Sequence, residues 1–126
     1  MNEATKISEA EWRICQVLWR HSPKTANEIV STLADTTSWN PRTIKTLLNR
    51  LVKKNVVSYE NHGREYRYFP RLSEAECVQA QTQSFVNRVF SGAVGPMVAT
   101  FINSQQLTPR EIAELKKILE QKAGKK

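Results

Sequence analysis

Arg42, Lys45, Arg50, Lys53 and Lys54 lie within one acid-free stretch, residues 40–54. Thr43, Thr46 and Asn49 are interleaved with them. Guanidinium and ammonium groups bind phosphate through charge-assisted hydrogen bonds. Lys and Arg also reach guanine O6 and N7, and a threonine methyl meets the methyl of thymine. The chemistry on offer is recognition of a polyanion.

Residues for bond-breaking chemistry are not gathered in this way. His21 and His62 both sit in turn-prone segments, and the four glycines are scattered without a phosphate loop. Cys15 and Cys77 are far apart in sequence and read as small buried residues rather than as a bridge or a metal pair. Glu9 and Glu11 fit the favourable electrostatics of a helix start better than acid–base work. The chain is therefore expected not to be an enzyme, and to use no cofactor and no metal.

The net charge of +7 is unevenly placed. Residues 1–72 carry +5 and residues 73–126 carry +2, and the segment 40–54 alone accounts for the N-terminal excess. A solvated helix face usually mixes both signs, so a single-sign face points to nucleic acid or another polyanion. No run of about 18 apolar residues would span a membrane, and the first residues have no apolar stretch of signal-peptide type. No membrane insertion and a cytoplasmic location are expected.

The elements that must position the cations are legible from their caps. Ser8-Glu9-Ala10-Glu11 is a capping box, opening a helix to about Arg20 with Trp12, Cys15, Leu18 and Trp19 inward. Thr25-Ala26-Asn27-Glu28 opens a second, short helix to about Ala34, with Ile29, Val30 and Leu33 inward. Asn40 caps a third and Pro41 suits its first turn. There Ile44, Leu47, Leu48, Leu51 and Val52 form one apolar stripe, and the helix is expected to reach Lys54. Residues 56–59 and 65–69 flank the turn-prone Asn61-His62-Gly63 and predict a β-hairpin closed by Pro70.

Ser73 to Glu76 opens a long fourth helix with a sparse stripe of Val78, Phe85, Val89 and Phe90, broken at Ser91-Gly92. A short helix with Val94, Met97, Val98, Phe101 and Ile102 follows. Leu107 to Glu111 then starts a last helix carrying Ile112, Leu115, Ile118 and Leu119, which frays at Gly124-Lys125-Lys126.

The expected fold class is mainly α: an N-terminal winged helix-turn-helix over residues 1–71, then a three-helix part over residues 72–126. So small and thinly apolar a C-terminal part rarely stands alone. Burial against a second copy predicts a homodimer. In a helix-turn-helix the second helix of the motif enters the major groove. Arg42, Thr43, Lys45 and Thr46 would meet base edges, and Asn49, Arg50, Lys53 and Lys54 phosphates. Arg50 has an alternative as a structural partner of Glu28. The wing tip from His62 to Arg64 either reaches DNA or is an ordinary solvated turn. Tyr66, Tyr68 and Phe69 are expected to pack on the helices beneath the hairpin rather than to stack bases, and Trp12, Trp19 and Trp39 to be core or staple residues.

In wording and order the chain resembles the penicillinase-repressor family, of BlaI and MecI type, to which the copper-responsive CopY repressors also belong. The carrying residues are Ile7-Ser8-Glu9-Ala10-Glu11-Trp12, Val17-Leu18-Trp19 and Ala26-Asn27-Glu28-Ile29. With them go Thr43-Ile44-Lys45-Thr46-Leu47-Leu48, then Arg50-Leu51 and Lys53-Lys54, and Tyr66-Arg67-Tyr68-Phe69-Pro70. Ser84 to Arg88, Gly92 and the stretch from Leu107 to Leu119 match the family's dimerisation part.

The resemblance implies a homodimeric repressor on a palindromic operator, controlling a β-lactam-resistance or stress operon. In the antibiotic branch it also implies a membrane sensor-protease as partner, and release by a cut at an Asn-Phe bond in the dimerisation part. The matching place is Thr100-Phe101, where this chain has Thr instead of Asn. The CopY branch carries a C-terminal Cys-x-Cys, and residues 121–126 hold no cysteine, so copper sensing by that route is not expected. Two other readings remain open on the residues: a winged-helix protein-interaction module, and a repressor that answers to a small ligand.

Overall fold

The structure is a computed structural model and describes residues 6–124. The expectations of no signal-type stretch at the N-terminus and of fraying at Lys125 and Lys126 fall on residues outside these. The chain forms two compact units, Met1–Ser84 and Phe85–Lys126.

In the first unit, α1 (Glu9–Arg20) starts on a reciprocal box. The Ser8 hydroxyl accepts from the Glu11 amide, and the Glu11 carboxylate accepts from the Ser8 amide at 2.8 Å. Its buried stripe is Glu11, Ile14, Cys15, Val17 and Leu18. Trp12 and Trp19 pack against the core, as expected, but Ile14 and Val17, which the expected stripe left out, are buried more deeply. The two indoles lie half-buried at the stripe's edge, edge-to-face at 5.1 Å. A large amphipathic ring gains by keeping its polar atom paired. The Trp19 indole donates to the Leu72 carbonyl at 3.0 Å.

α2 (Ala26–Leu33) opens on the Thr25–Glu28 box and buries Ala26, Ile29 and Leu33. α3 (Pro41–Lys53) is capped by Asn40, whose side chain accepts from the Thr43 amide at 2.9 Å. It buries Ile44, Leu47, Leu48 and Leu51. Its C-terminus closes with Asn55 in the left-handed region at φ 63°. There the Val56 amide donates to Leu51 and the Asn55 amide to Val52, a Schellman arrangement with Val56 and Leu51 both buried.

The hairpin is β1 (Val57–His62) and β2 (Glu65–Pro70), antiparallel, with Tyr59 opposite Tyr68 and His62 opposite Glu65. Gly63 holds φ 67° at the first central position of the two-residue loop, which suits a residue without Cβ. Lys24 makes one antiparallel bridge to Tyr68 and so ties the start of α2 to the wing.

The expected packing of Tyr66 is corrected. Tyr68 is buried and Phe69 half-buried, but Tyr66 is exposed and rests on Tyr59 with ring centres 4.8 Å apart. The register places Tyr66 opposite Asn61, next to the solvent end of the hairpin.

α4 (Glu74–Phe90) starts on the Ser73–Glu76 box. Its first turns belong to the first unit through Cys77, a member of that unit's core. Val78, expected on the apolar stripe, is exposed instead.

The second unit holds the end of α4, α5 (Val94–Ser104) and α6 (Pro109–Gly124). α4 ends at Ser91 and Gly92, both at positive φ. α6 starts on the Thr108–Glu111 box. Phe85 meets Phe90 at 5.9 Å and Phe101 at 6.5 Å. Among the described residues of this unit only Val86 is buried. Val94, Phe101, Ile112, Ile118 and Leu119 are exposed, the last two at 60%.

Candidate nucleic-acid interface

The apolar stripe of α3 packs into the core and thereby fixes which edge of the helix stays in water. Arg42, Lys45, Thr46, Asn49, Arg50 and Lys53 are all exposed on it, and Thr43 is half-buried. The Thr46 hydroxyl donates to the Arg42 carbonyl at 3.0 Å, which orients that side chain one turn along the helix. Among the described residues none of Arg42, Lys45, Arg50 and Lys53 is in an ion pair. Glu28, the alternative partner for Arg50, is occupied by its own cap. The Thr25 amide and hydroxyl hold its carboxyl below the usual carboxylate range.

α2, α3 and the wing converge on a cleft of about 410 Å³. Asn27 lines it at the head of α2, Lys45 and Asn49 on α3, and Arg64 and Tyr66 on the wing. Two cations from different elements thus face one concavity with hydrogen-bonding groups beside them. Glu65 at the start of β2 lines it too, so the concavity is polar and of mixed charge. Sequence reasoning had Lys45, Asn49 and Arg64 but missed Asn27 and Tyr66. Asn27 looked like the interior of a capping box, and only the strand register separates Tyr66 from buried Tyr68.

Lys54 leaves the set of phosphate-contacting candidates. Its ammonium donates to the Glu11 carboxylate and to the Lys6 carbonyl, both at 2.7 Å. It follows the last residue of α3 and is turned back onto α1. Glu11 is 1% exposed, and burial opposes its charge. The bonds from Lys54 and Ser8 outweigh burial and hold the carboxyl below the usual range.

Among the described residues no three His, Cys, Asp or Glu side chains are placed to hold an ion. Cys15 and Cys77 are buried free thiols. Burial, with Cys77 and Glu11 adding, pushes Cys15 up to about 12, and burial also raises Cys77. Both therefore stay protonated and act as apolar packing. Among the described residues no single helix is long and apolar enough to cross a membrane.

This geometry has known counterparts. The family profile described as penicillinase repressor matches residues 7–121. The penicillinase repressor of Bacillus licheniformis is 36% identical over 126 residues, covering 100% of this chain and 98% of that protein. The methicillin resistance regulatory protein MecI of Staphylococcus aureus strain N315 is 30% identical, covering 96% and 98%. Among solved structures, the DNA-binding domain of the repressor BlaI superposes with a TM-score of 0.54 at 37% identity, over 60% of this chain and 93% of that one. MepR, a transcription regulator of the Staphylococcus aureus multidrug efflux pump MepA, superposes at 0.53 over 96% of this chain. At 19% identity it speaks for the fold alone. On the family match and on relatives aligned along nearly their whole length, the chain belongs to the penicillinase repressor family.

Proposed function

We propose that this protein is a homodimeric transcriptional repressor that binds a palindromic operator in double-stranded DNA. One observation carries the reading: the exposed, acid-free edge of α3 shares a cleft with Arg64 of the wing. α3 lies in the major groove, with Arg42, Thr43, Lys45 and Thr46 at base edges. Asn49, Arg50 and Lys53 hold phosphates, joined by Arg64, Asn27 and Tyr66 from the neighbouring elements. The relatives named as penicillinase and methicillin-resistance regulators support a β-lactam-resistance or stress operon as the target. Such a protein works in the cytoplasm, with no catalytic step.

Residues 72–126 serve as the dimerisation part. Their exposed Phe101, Ile112, Ile118 and Leu119 would be covered by the same residues of a second copy. Linking two DNA-binding units makes the second half-site an intramolecular event, worth on the order of 10² to 10⁴ in affinity. A cut at Thr100-Phe101 by a membrane sensor-protease would release the DNA by removing α6 and the end of α5.

The test is selection of DNA by the full chain from a random library, followed by a mobility shift with competitor. A recovered inverted repeat giving a competitor-resistant band is the expected result. Failure to enrich any sequence, with retention of an acidic protein instead, would replace the repressor by a protein-interaction module.

A further inference from the structure

We propose that Lys54 is a positioning residue: clasped to Glu11 and the Lys6 carbonyl, it sets the axial register of α3 on α1 and so decides which bases the recognition edge meets. This deepens the repressor reading and rests on it.

Apolar packing holds α3 down but is non-directional, so Ile44, Leu47, Leu48 and Leu51 alone tolerate small slides and rotations. The clasp is directional. The Lys54 ammonium spends two of its three donors on Glu11 Oε1 and the Lys6 carbonyl, each at 2.7 Å. Both ends of the bond are rooted in fixed backbone. Glu11 stands in the first turn of α1 with its carboxylate already bonded to the Ser8 amide. Lys54 is the residue after which Asn55 turns left-handed, and its own amide donates to the Arg50 and Val52 carbonyls. The pair therefore joins the start of α1 to the end of α3 across 43 residues of chain.

Stability alone does not require the arrangement. Glu11 Oε2 is buried and has no hydrogen-bond partner among the described residues. Well-packed neutral side chains of similar volume often replace a buried ion pair without loss of stability. What the pair supplies is one defined placement. Lys54 is thereby distinct from Lys53, its exposed neighbour, whose ammonium is free to meet a phosphate.

The experiment compares the full chain with Lys54→Arg, Lys54→Met, Glu11→Gln and the double variant Glu11→Gln/Lys54→Met. Each is titrated with the DNA that the parent selects and with random DNA, at several salt concentrations, and melting is followed in parallel. Gln at position 11 still accepts from the Ser8 amide, so the cap survives. Lys54→Arg is expected to keep selectivity. Lys54→Met and the double variant are expected to remain folded and lose at least about tenfold in the ratio of selected to random binding, the worth of one well-set base contact. Glu11→Gln, whose side-chain oxygen still accepts from both the Ser8 amide and Lys54, should lose less than either.

Equal losses on both DNAs in Lys54→Met, with a salt slope smaller by about one, would make Lys54 a phosphate contact and overturn the proposal. Parental selectivity in folded Lys54→Met or in the folded double variant would overturn it too. A parent that shows no sequence preference defeats the repressor reading itself, and is told apart because no variant is needed to see it.

Discussion

Lys45 and Lys53 occupy the same edge of one helix, yet their surroundings assign them different work. Lys45 lines the cleft with Arg64 and Asn49, while Lys53 stands exposed in the last turn. Lys45→Ala should weaken the selected sequence by about 1–3 kcal/mol and relax one base position, read by repeating the selection with the variant. Lys53→Ala should weaken all DNA alike and lower the salt slope by about one, read by titration at several ionic strengths.

Glu11 adds a pH dependence. Its folded-state pKa lies below the ordinary 4.5, so the clasp's contribution is complete above that value and fades as pH falls through the folded pKa. Glu28 and Glu76, exposed cap residues, shift the same way. The parent should therefore lose stability on acidification below about pH 5, and Glu11→Gln should lose less. Urea midpoints at neutral pH and near pH 3 give the comparison.

At the level of elements, the helix starts were readable because a capping box is local. Ser8 with Glu11, Thr25 with Glu28, Ser73 with Glu76 and Thr108 with Glu111 are each three residues apart, and all four pairs bond reciprocally. The α3 stripe was readable for the same reason. The inward faces of α1 and α4 were less so. Trp12, Trp19 and Val78 match Ile14, Val17 and Cys77 in apolar character, and only the packed partner decides which of them it covers. The wing turn offers an isolated test of backbone chemistry. A Cβ at Gly63 would meet nothing within 4 Å, so Gly63→Ala is strained only through its φ of 67°. It should cost about 1–2 kcal/mol in denaturant unfolding with DNA affinity preserved in the folded protein.

At the scale of the whole molecule, the second unit leaves most of its apolar side chains in water, a pattern that marks an interaction surface. The proposed homodimer should sediment at twice 14.5 kDa at micromolar concentration. Ile118→Asp, at a position 60% exposed, should leave the first unit folded and give a monomer. Its operator affinity should fall by on the order of 10² to 10⁴ while half-site affinity holds. A variant that stays dimeric by sedimentation would move the interface elsewhere.

By itself the sequence determined the order of elements, their caps, the hairpin, the cationic edge of α3 and the family. Each is written in spacings of one to eight residues, or in a charge count, and needs no knowledge of what lies across the fold. Tertiary structure decided which of these residues are free to act. Lys54, a cation like its neighbours in sequence, is drawn onto Glu11 from 43 residues away. Tyr66 stays in water while Tyr68 goes under the helices. Asn27 joins Lys45 and Arg64 in one cleft. The reason is physical: burial and ion pairing depend on distances between elements, and such long-range pairs leave no local pattern in the chain.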